Sequence, residues 1–503
     1  MTIKRLFLIL LTILSLAGVG LSLIDSLNQP QVQSRLELYQ SNLILNASEF
    51  ESAQIEASRN ALLGKNPDVT AKKQYQAARE QANTNLNKLK TELQAANTDV
   101  ELGEKWQKAI AGIATEQKFI NDLDLKLGII EANQGEIDQA LHIWNELIIR
   151  LEAEKQEREI FTTAKVLKGL WSQPPQILPH AESAIKTNLQ GWFQYSALKQ
   201  VYQLEERQDD LLNLQAEEQK KATSAIWKLT LIGVIPFFGG IIGICLLLFF
   251  LTQLFFGKEK ALLATDNNIP WEVPWDGEIV WQVLIVGFFF LSQILLPFLF
   301  GISGFNPTGL SLRLQAFYVL VSYLLMAGGG LLVLYFSIKS FFPLPPDWFQ
   351  FKWRSNWIFW GVGGYFVALP LVVIVSLINQ QIWQGQGGSN PLLMLALQAQ
   401  DQVVLGIFFF TASVAAPIFE ETIFRGFLLP SLTRYFPVWG AILASSLVFS
   451  FAHLSFSEVL PLTTLGFVLG FVYSRSRNLL ASILLHSLWN SGTLLSLFVL
   501  GSG

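Results

Sequence analysis

Val403–Leu429 reads VVLGIFFFTASVAAPIFEETIFRGFLL. The segment is long and apolar enough to cross a hydrocarbon core of about 30 Å as a helix. Yet Glu420, Glu421 and Arg425 stand in its second half. An ionisable side chain at the centre of a bilayer costs about 2.5–3.5 kcal/mol on insertion scales, so three in one span mark a function or a buried partner. Two of the chain's four histidines, His453 and His486, follow in the next spans, together with Asn490. Such grouping in lipid-embedded sequence predicts a polar cavity inside the membrane, and that cavity is first of all a candidate catalytic site.

The surrounding chain repeats the apolar pattern. Its 503 residues are 51% hydrophobic and 15% charged, with mean hydropathy +0.38. From Trp227 onward the apolar runs are Trp227–Phe256, Ile279–Ile302, Gln315–Ile338, Trp357–Ile378, Val403–Leu429, Val438–Leu454, Pro461–Tyr473 and Leu479–Leu500. Of these, Pro461–Tyr473 is the short one, and it reads as tilted or half-buried. The class is therefore all-α: a polytopic membrane helix bundle over 226–503. A net charge of −4 is too small to imply nucleic acid or another strongly charged partner. The lone Cys245 excludes an intrachain disulfide and a thiolate metal cluster, and it reads as a small packing residue.

Residues 1–24 have a short basic start, Lys4 and Arg5, followed by the apolar run Leu6–Leu23. That run exceeds a typical signal core and favours a retained transmembrane anchor over a cleaved signal. Residues 25–225 are polar with helical periodicity and form an expected extracytoplasmic helical domain. Ala82, Leu86, Leu89 and Leu93 follow a 4-3-4 spacing that fits a coiled-coil-like seam. Leu127–Trp144, with Gly128, Ala132, Gly135 and Ala140, resembles one tetratricopeptide hairpin, although an ordinary helical hairpin has the same pattern. His142 and His180 have no metal-like spacing and read as surface residues. Trp271, Trp275, Trp357 and Trp360 fit interfacial aromatic belts.

Basic residues set the expected orientation. Lys4 and Arg5, Lys258 and Lys260, Lys339, Lys352 and Arg354, Arg434, and Arg475 and Arg477 fall in alternate loops, whereas the other loops hold only Arg313. By the positive-inside rule the N-terminus is cytoplasmic and 25–225 lies outside, as in a bacterial inner-membrane protein.

Within the polar set, Glu421 and Arg425 are four apart on one helical face, with the acid first, which is the favourable order for an ion pair. Glu420 lies about 100° round the helix and is free to face a cavity. Phe449 and His453 share a face of the next span, and His486 and Asn490 share one two spans later. A carboxylate with an imidazole holds and deprotonates water. A second imidazole with an amide donates hydrogen bonds to a developing oxyanion.

EExxxR, then FxxxH, then HxxxN on consecutive spans resemble the three motifs of the CPBP family, the group of type II CAAX prenyl proteases and Abi-type membrane proteins. The resemblance covers 403–500. It implies an intramembrane glutamate-type endopeptidase acting on membrane-associated peptides or proteins without a metal or other cofactor. It further implies that Glu420 is the general base, aided by His453. His486 and Asn490 would form the oxyanion hole, and Glu421, Arg425 and Phe449 would support them. The lipid bilayer and a membrane-anchored substrate are the implied partners, with a protein partner open for 25–225.

Other readings of the same residues stay open. Glu420, His453 and His486 are an adequate zinc set, although no HExxH pair exists. The polar pocket also suits a non-catalytic binding or immunity protein. A proton-coupled transporter is a further reading, without the internal repeats that would favour it. Helix rise sets His453 and His486 about 12 Å apart in depth, so their meeting requires tilt or a register shift.

Overall fold

The computed structural model describes residues 2–501 except 28, 30, 32, 51–61, 96–102, 155–156, 258–260, 263–268, 303–309 and 400. The described residues are helical, without a strand, and they divide into two compact units, 1–32 with 234–502, and 33–233. The first helix, α1 (Ile3–Leu27), belongs to the first unit. The second unit contains α2 (Gln33–Ser48), α3 (Pro67–Ala95), α4 (Gly103–Asn133), α5 (Ile137–Glu154), α6 (Arg158–Leu170), α7 (Ala181–Asn188) and α8 (Gly191–Leu204). The long α9 (Gln208–Gly257) contributes to both units.

In the second unit the α4–α5 hairpin closes around a glycine. A Cβ on Gly128 would overlap the Trp144 indole, whose Nε1–H donates to the Leu125 carbonyl at 3.1 Å. The turn runs through Gly135 at φ 85°, a left-handed position that favours glycine. Ala82 and Leu86 on α3 are buried against Ile120 on α4. His142 is exposed, 3.7 Å from Glu146.

The first unit is the membrane bundle. After α9 come α10 (Gly277–Ile302), α11 (Leu312–Phe341), α12 (Trp357–Trp383), the short α13 (Pro391–Gln398) and α14 (Gln402–Leu432). The chain then forms α15 (Val438–Phe451), α16 (Phe456–Ser476) and α17 (Leu479–Gly501). Eight of these helices, α1 included, are long and apolar enough to cross a membrane, which makes this an integral membrane protein. The short span is not the one the apolar count predicts. The α16 helix has 21 residues because it starts at Phe456, five residues before the apolar run. The α15 helix has 14, about 21 Å of rise, because Leu454 turns the chain at φ 57°.

The α1 helix is built into the bundle. Leu8, Leu11, Ser15, Val19, Leu23 and Ser26 form its buried seam, spaced three and four apart as one helical face requires. Lys4 and Arg5 pair with Glu278 at 3.0 and 2.8 Å, and Trp281 Nε1–H donates to Thr12 Oγ1 at 2.8 Å. At its other end the Phe456 N–H donates to Ser26 Oγ at 3.3 Å.

The segment just before α10 also accepts hydrogen bonds from Arg434, through the Val273 and Trp275 carbonyls, and carries the Arg477 guanidinium 3.5 Å over the Trp271 ring. These basic residues therefore gather at one end of the bundle. Arg313 pairs instead with Asp401, at the start of α14. Lys258 and Lys260 lie outside the described residues. Trp271 and Trp275 are not belt residues. They are 5% and 1% exposed in an aromatic core where Trp275 meets Trp348 and Phe427.

Candidate active site

The α14 helix is not regular, and its first irregular stretch runs up to a proline. Thr411–Ala415 and Thr422–Leu428 wind as π-helix on either side of Ala416–Glu421. Pro417 has no N–H and disfavours an ordinary helical turn before it. In an i→i+5 turn the partner of the Ala412 carbonyl would be residue 417, which lacks the donor. Asn490 supplies it, with Nδ2 donating to the Ala412 carbonyl at 2.7 Å. An amide N–H of Asn490 is thus spent on structure, and a second remains.

Behind the site lies a buried charge network. Arg425 Nη1 donates to Glu421 Oε1 at 2.8 Å, and Nη2 donates to the Gly466 carbonyl at 3.1 Å. Both residues are fully buried, and the guanidinium sits 4.5 Å from the Phe449 ring centroid. Gly466 lets this approach happen, because a Cβ there would lie 3.2 Å from Arg425 Nη2. His486 Nδ1 is 2.9 Å from the same Glu421 oxygen. An ionised carboxylate only accepts, so Nδ1 carries the proton and donates. The Nε2 atom of His486 then faces Glu420, 4.0 Å from its Oε2.

Glu420 points away from this network, as its helical offset from Glu421 predicts. It lines a cavity of about 420 Å³ with His453, His486, Asn490, Tyr323 and Glu458. The Tyr323 hydroxyl donates to Glu420 Oε1 at 3.0 Å. His453 Nδ1 lies 2.9 Å from the Phe449 carbonyl. That contact makes Nδ1 the donor and leaves the Nε2 lone pair as an acceptor. The depth offset expected between the two histidines does not separate them, because Phe449 bridges it. Its ring centroid is 4.9 Å from that of His453 and 5.8 Å from that of His486.

All the predicted site residues thus come to this cavity or its supporting wall. Two others were not anticipated. Tyr323 sits on α11 in a span that also carries Tyr318 and Ser322, so its hydroxyl is not singled out in the sequence. Glu458 lies five residues after His453, accepts the Asn390 N–H at 2.8 Å and interacts electrostatically with His453. Its charge beside a motif histidine was visible in the sequence. Among the described residues lining the cavity there is no lysine or arginine, so the cavity is anionic to neutral. No group of three or more His, Cys, Asp or Glu among the described residues is arranged to hold a metal ion.

A family model described as "Type II CAAX prenyl endopeptidase Rce1-like" matches residues 402–492, which include all three motifs. The chain is similar to "Putative membrane peptidase YdiL" of Bacillus subtilis (strain 168), at 27% identity over 217 residues, 42% of this chain and 85% of that protein. It is also similar to "UPF0177 protein YxdF" of Lactococcus lactis subsp. lactis (strain IL1403), at 30% identity over 143 residues, 27% of this chain and 75% of that protein. No solved structure matches.

Proposed function

The chain belongs to the CPBP family of Rce1-like membrane proteins, and from that premise we propose that it is an intramembrane endopeptidase whose general base is Glu420. The observation that carries this reading is the convergence of Glu420, His453, His486 and Asn490 on one cavity. A water held between the Glu420 carboxylate and His453 Nε2 loses a proton to Glu420 as its oxygen attacks the scissile carbonyl carbon. The carbonyl oxygen becomes an oxyanion. It is met by the second N–H of Asn490 and by Nε2–H of a doubly protonated His486, whose charge the oxyanion itself offsets, Glu421 being already paired with Arg425. The C–N bond then breaks, and the proton on Glu420 passes to the leaving amine.

Glu421 and Arg425 act as support in this scheme, since their hydrogen bonds are spent on each other, on Gly466 and on His486. The substrate is a membrane-associated peptide or protein segment that reaches the cavity from the bilayer. Residues 1–24 stay attached as a structural helix, a reading supported by their contacts with Glu278 and Trp281. By the positive-inside rule, the end of the bundle that gathers Lys4, Arg5, Arg434 and Arg477 is assigned to the cytoplasm of a bacterial cell and residues 25–225 to the outside.

Metal dependence tests the mechanism. After exhaustive chelation, with zinc content measured on the same sample, the protein is expected to retain its cleavage rate without bound metal. Loss of activity on chelation, restored by zinc, would replace the glutamate mechanism with a metallopeptidase one.

A further inference from the structure

We propose that Tyr323 is a positioning residue that holds the Glu420 carboxylate open for water. The proposal rests on reading Glu420 as the base and extends the site beyond the family-matched segment 402–492, to a helix about a hundred residues earlier in sequence. The argument starts from the two oxygens of one carboxylate. Oε1 accepts the Tyr323 hydroxyl at 3.0 Å, a normal hydrogen-bond length. Oε2 stands 4.0 Å from His486 Nε2, too far for a hydrogen bond yet within reach of a small side-chain rotation.

In the doubly protonated form of His486 that the proposed mechanism uses, an unrestrained carboxylate gains by closing that gap. A direct bond from an imidazolium to a carboxylate is charge-assisted and strong in a dry cavity. It would occupy the base and the oxyanion donor with each other, removing both from catalysis. The Tyr323 hydroxyl opposes this collapse with a bond of comparable class, since its acceptor is also charged. Tyr323 is itself fixed in place. Its ring packs edge-on against Phe419, with centroids 6.2 Å apart and an interplanar angle of 86°, and Phe419 stacks on Phe288 at 6.0 Å. The hydroxyl is therefore presented by an aromatic stack rather than by a free rotor. Oε2 is left as the oxygen that takes the water proton.

Tyr323→Phe removes the donor and keeps the ring stack, so a structural effect separates from a positioning one. The test uses full-length protein in detergent and, as substrate, a membrane-anchored peptide spanning a cut site that disappears from cell membranes with Glu420→Gln. Tyr323→Phe should lower kcat roughly 10- to 100-fold, the value of one hydrogen bond to a charged group, with KM and thermal midpoint unchanged. A second readout needs no substrate. The infrared carboxylate stretch of Glu420, identified as the band lost in Glu420→Gln, should shift in Tyr323→Phe. An unchanged kcat in an enzyme that does depend on Glu420, or an unshifted band, overturns the proposal. Cleavage that survives Glu420→Gln would instead defeat the underlying reading of the base, and the catalytic role given to Tyr323 would fall with it.

Discussion

Glu420→Gln is expected to lower the cleavage rate by about 10²–10⁴-fold, the usual contribution of a general base. The substitution is nearly isosteric. Glutamine keeps an oxygen that accepts the Tyr323 hydroxyl, now 3.0 Å from Glu420 Oε1, and it keeps the volume that lines the cavity. What it loses is the capacity to take a proton from water. The thermal midpoint in detergent should therefore stay at the wild-type value while turnover collapses. A variant that loses stability and activity together would place Glu420 among the packing residues instead.

Arg425→Ala should act in the opposite sense, on the fold before the chemistry. Arg425 is 0% exposed and its guanidinium is bonded to Glu421 and to the Gly466 carbonyl. Removing it strands the Glu421 carboxylate in a buried site with His486 as its remaining partner. Breaking one side of a buried ion pair typically costs about 3–5 kcal/mol. Arg425→Ala should show a lower thermal midpoint and a lower yield of folded protein. Neutralising both partners, as in Glu421→Gln with Arg425→Met, should recover much of that stability, because the desolvation cost disappears with the charges. Activity should not return, since His486 then lacks the carboxylate that fixes its Nδ1–H. An Arg425→Ala protein with wild-type stability would show that the pair is not structural.

Much of this site was legible because charge in apolar sequence is costly and therefore conspicuous. Glu420, Glu421, Arg425, His453 and His486 stand out from their spans by that criterion alone, and the four-residue spacings of Glu421–Arg425 and His486–Asn490 assign their faces. Tyr323 carries no charge and no motif spacing. Its role appears only when α11 meets α14, a tertiary fact that periodicity does not encode. The π-helical stretches of α14 each had a local flag, a proline two residues past the end: Pro417 after Ala415 and Pro430 after Leu428. The π-helical stretch Val283–Leu295 in α10 has the same flag, since Pro297 follows two residues after its end.

Element lengths were misjudged where apolar counting met turn geometry. The α15 helix stops at Phe451 although Leu454 is apolar, and α16 gains a turn from Phe456–Glu458 although it contains a glutamate. Trp271 and Trp275 show the same limit. Indole composition at the edge of a span fits a membrane belt and a buried aromatic cluster equally well, and only packing against Tyr473, Trp348 and Phe427 separates the two.

The central claim is that Glu420 makes this membrane protein a peptidase, and the most direct measurement compares peptide termini in membranes of cells carrying wild type or Glu420→Gln at equal abundance. The account predicts a defined set of termini present with wild type and absent with Glu420→Gln. Identical profiles, together with rescue of a deletion phenotype by Glu420→Gln, would contradict it and leave a membrane binding protein built on a peptidase fold.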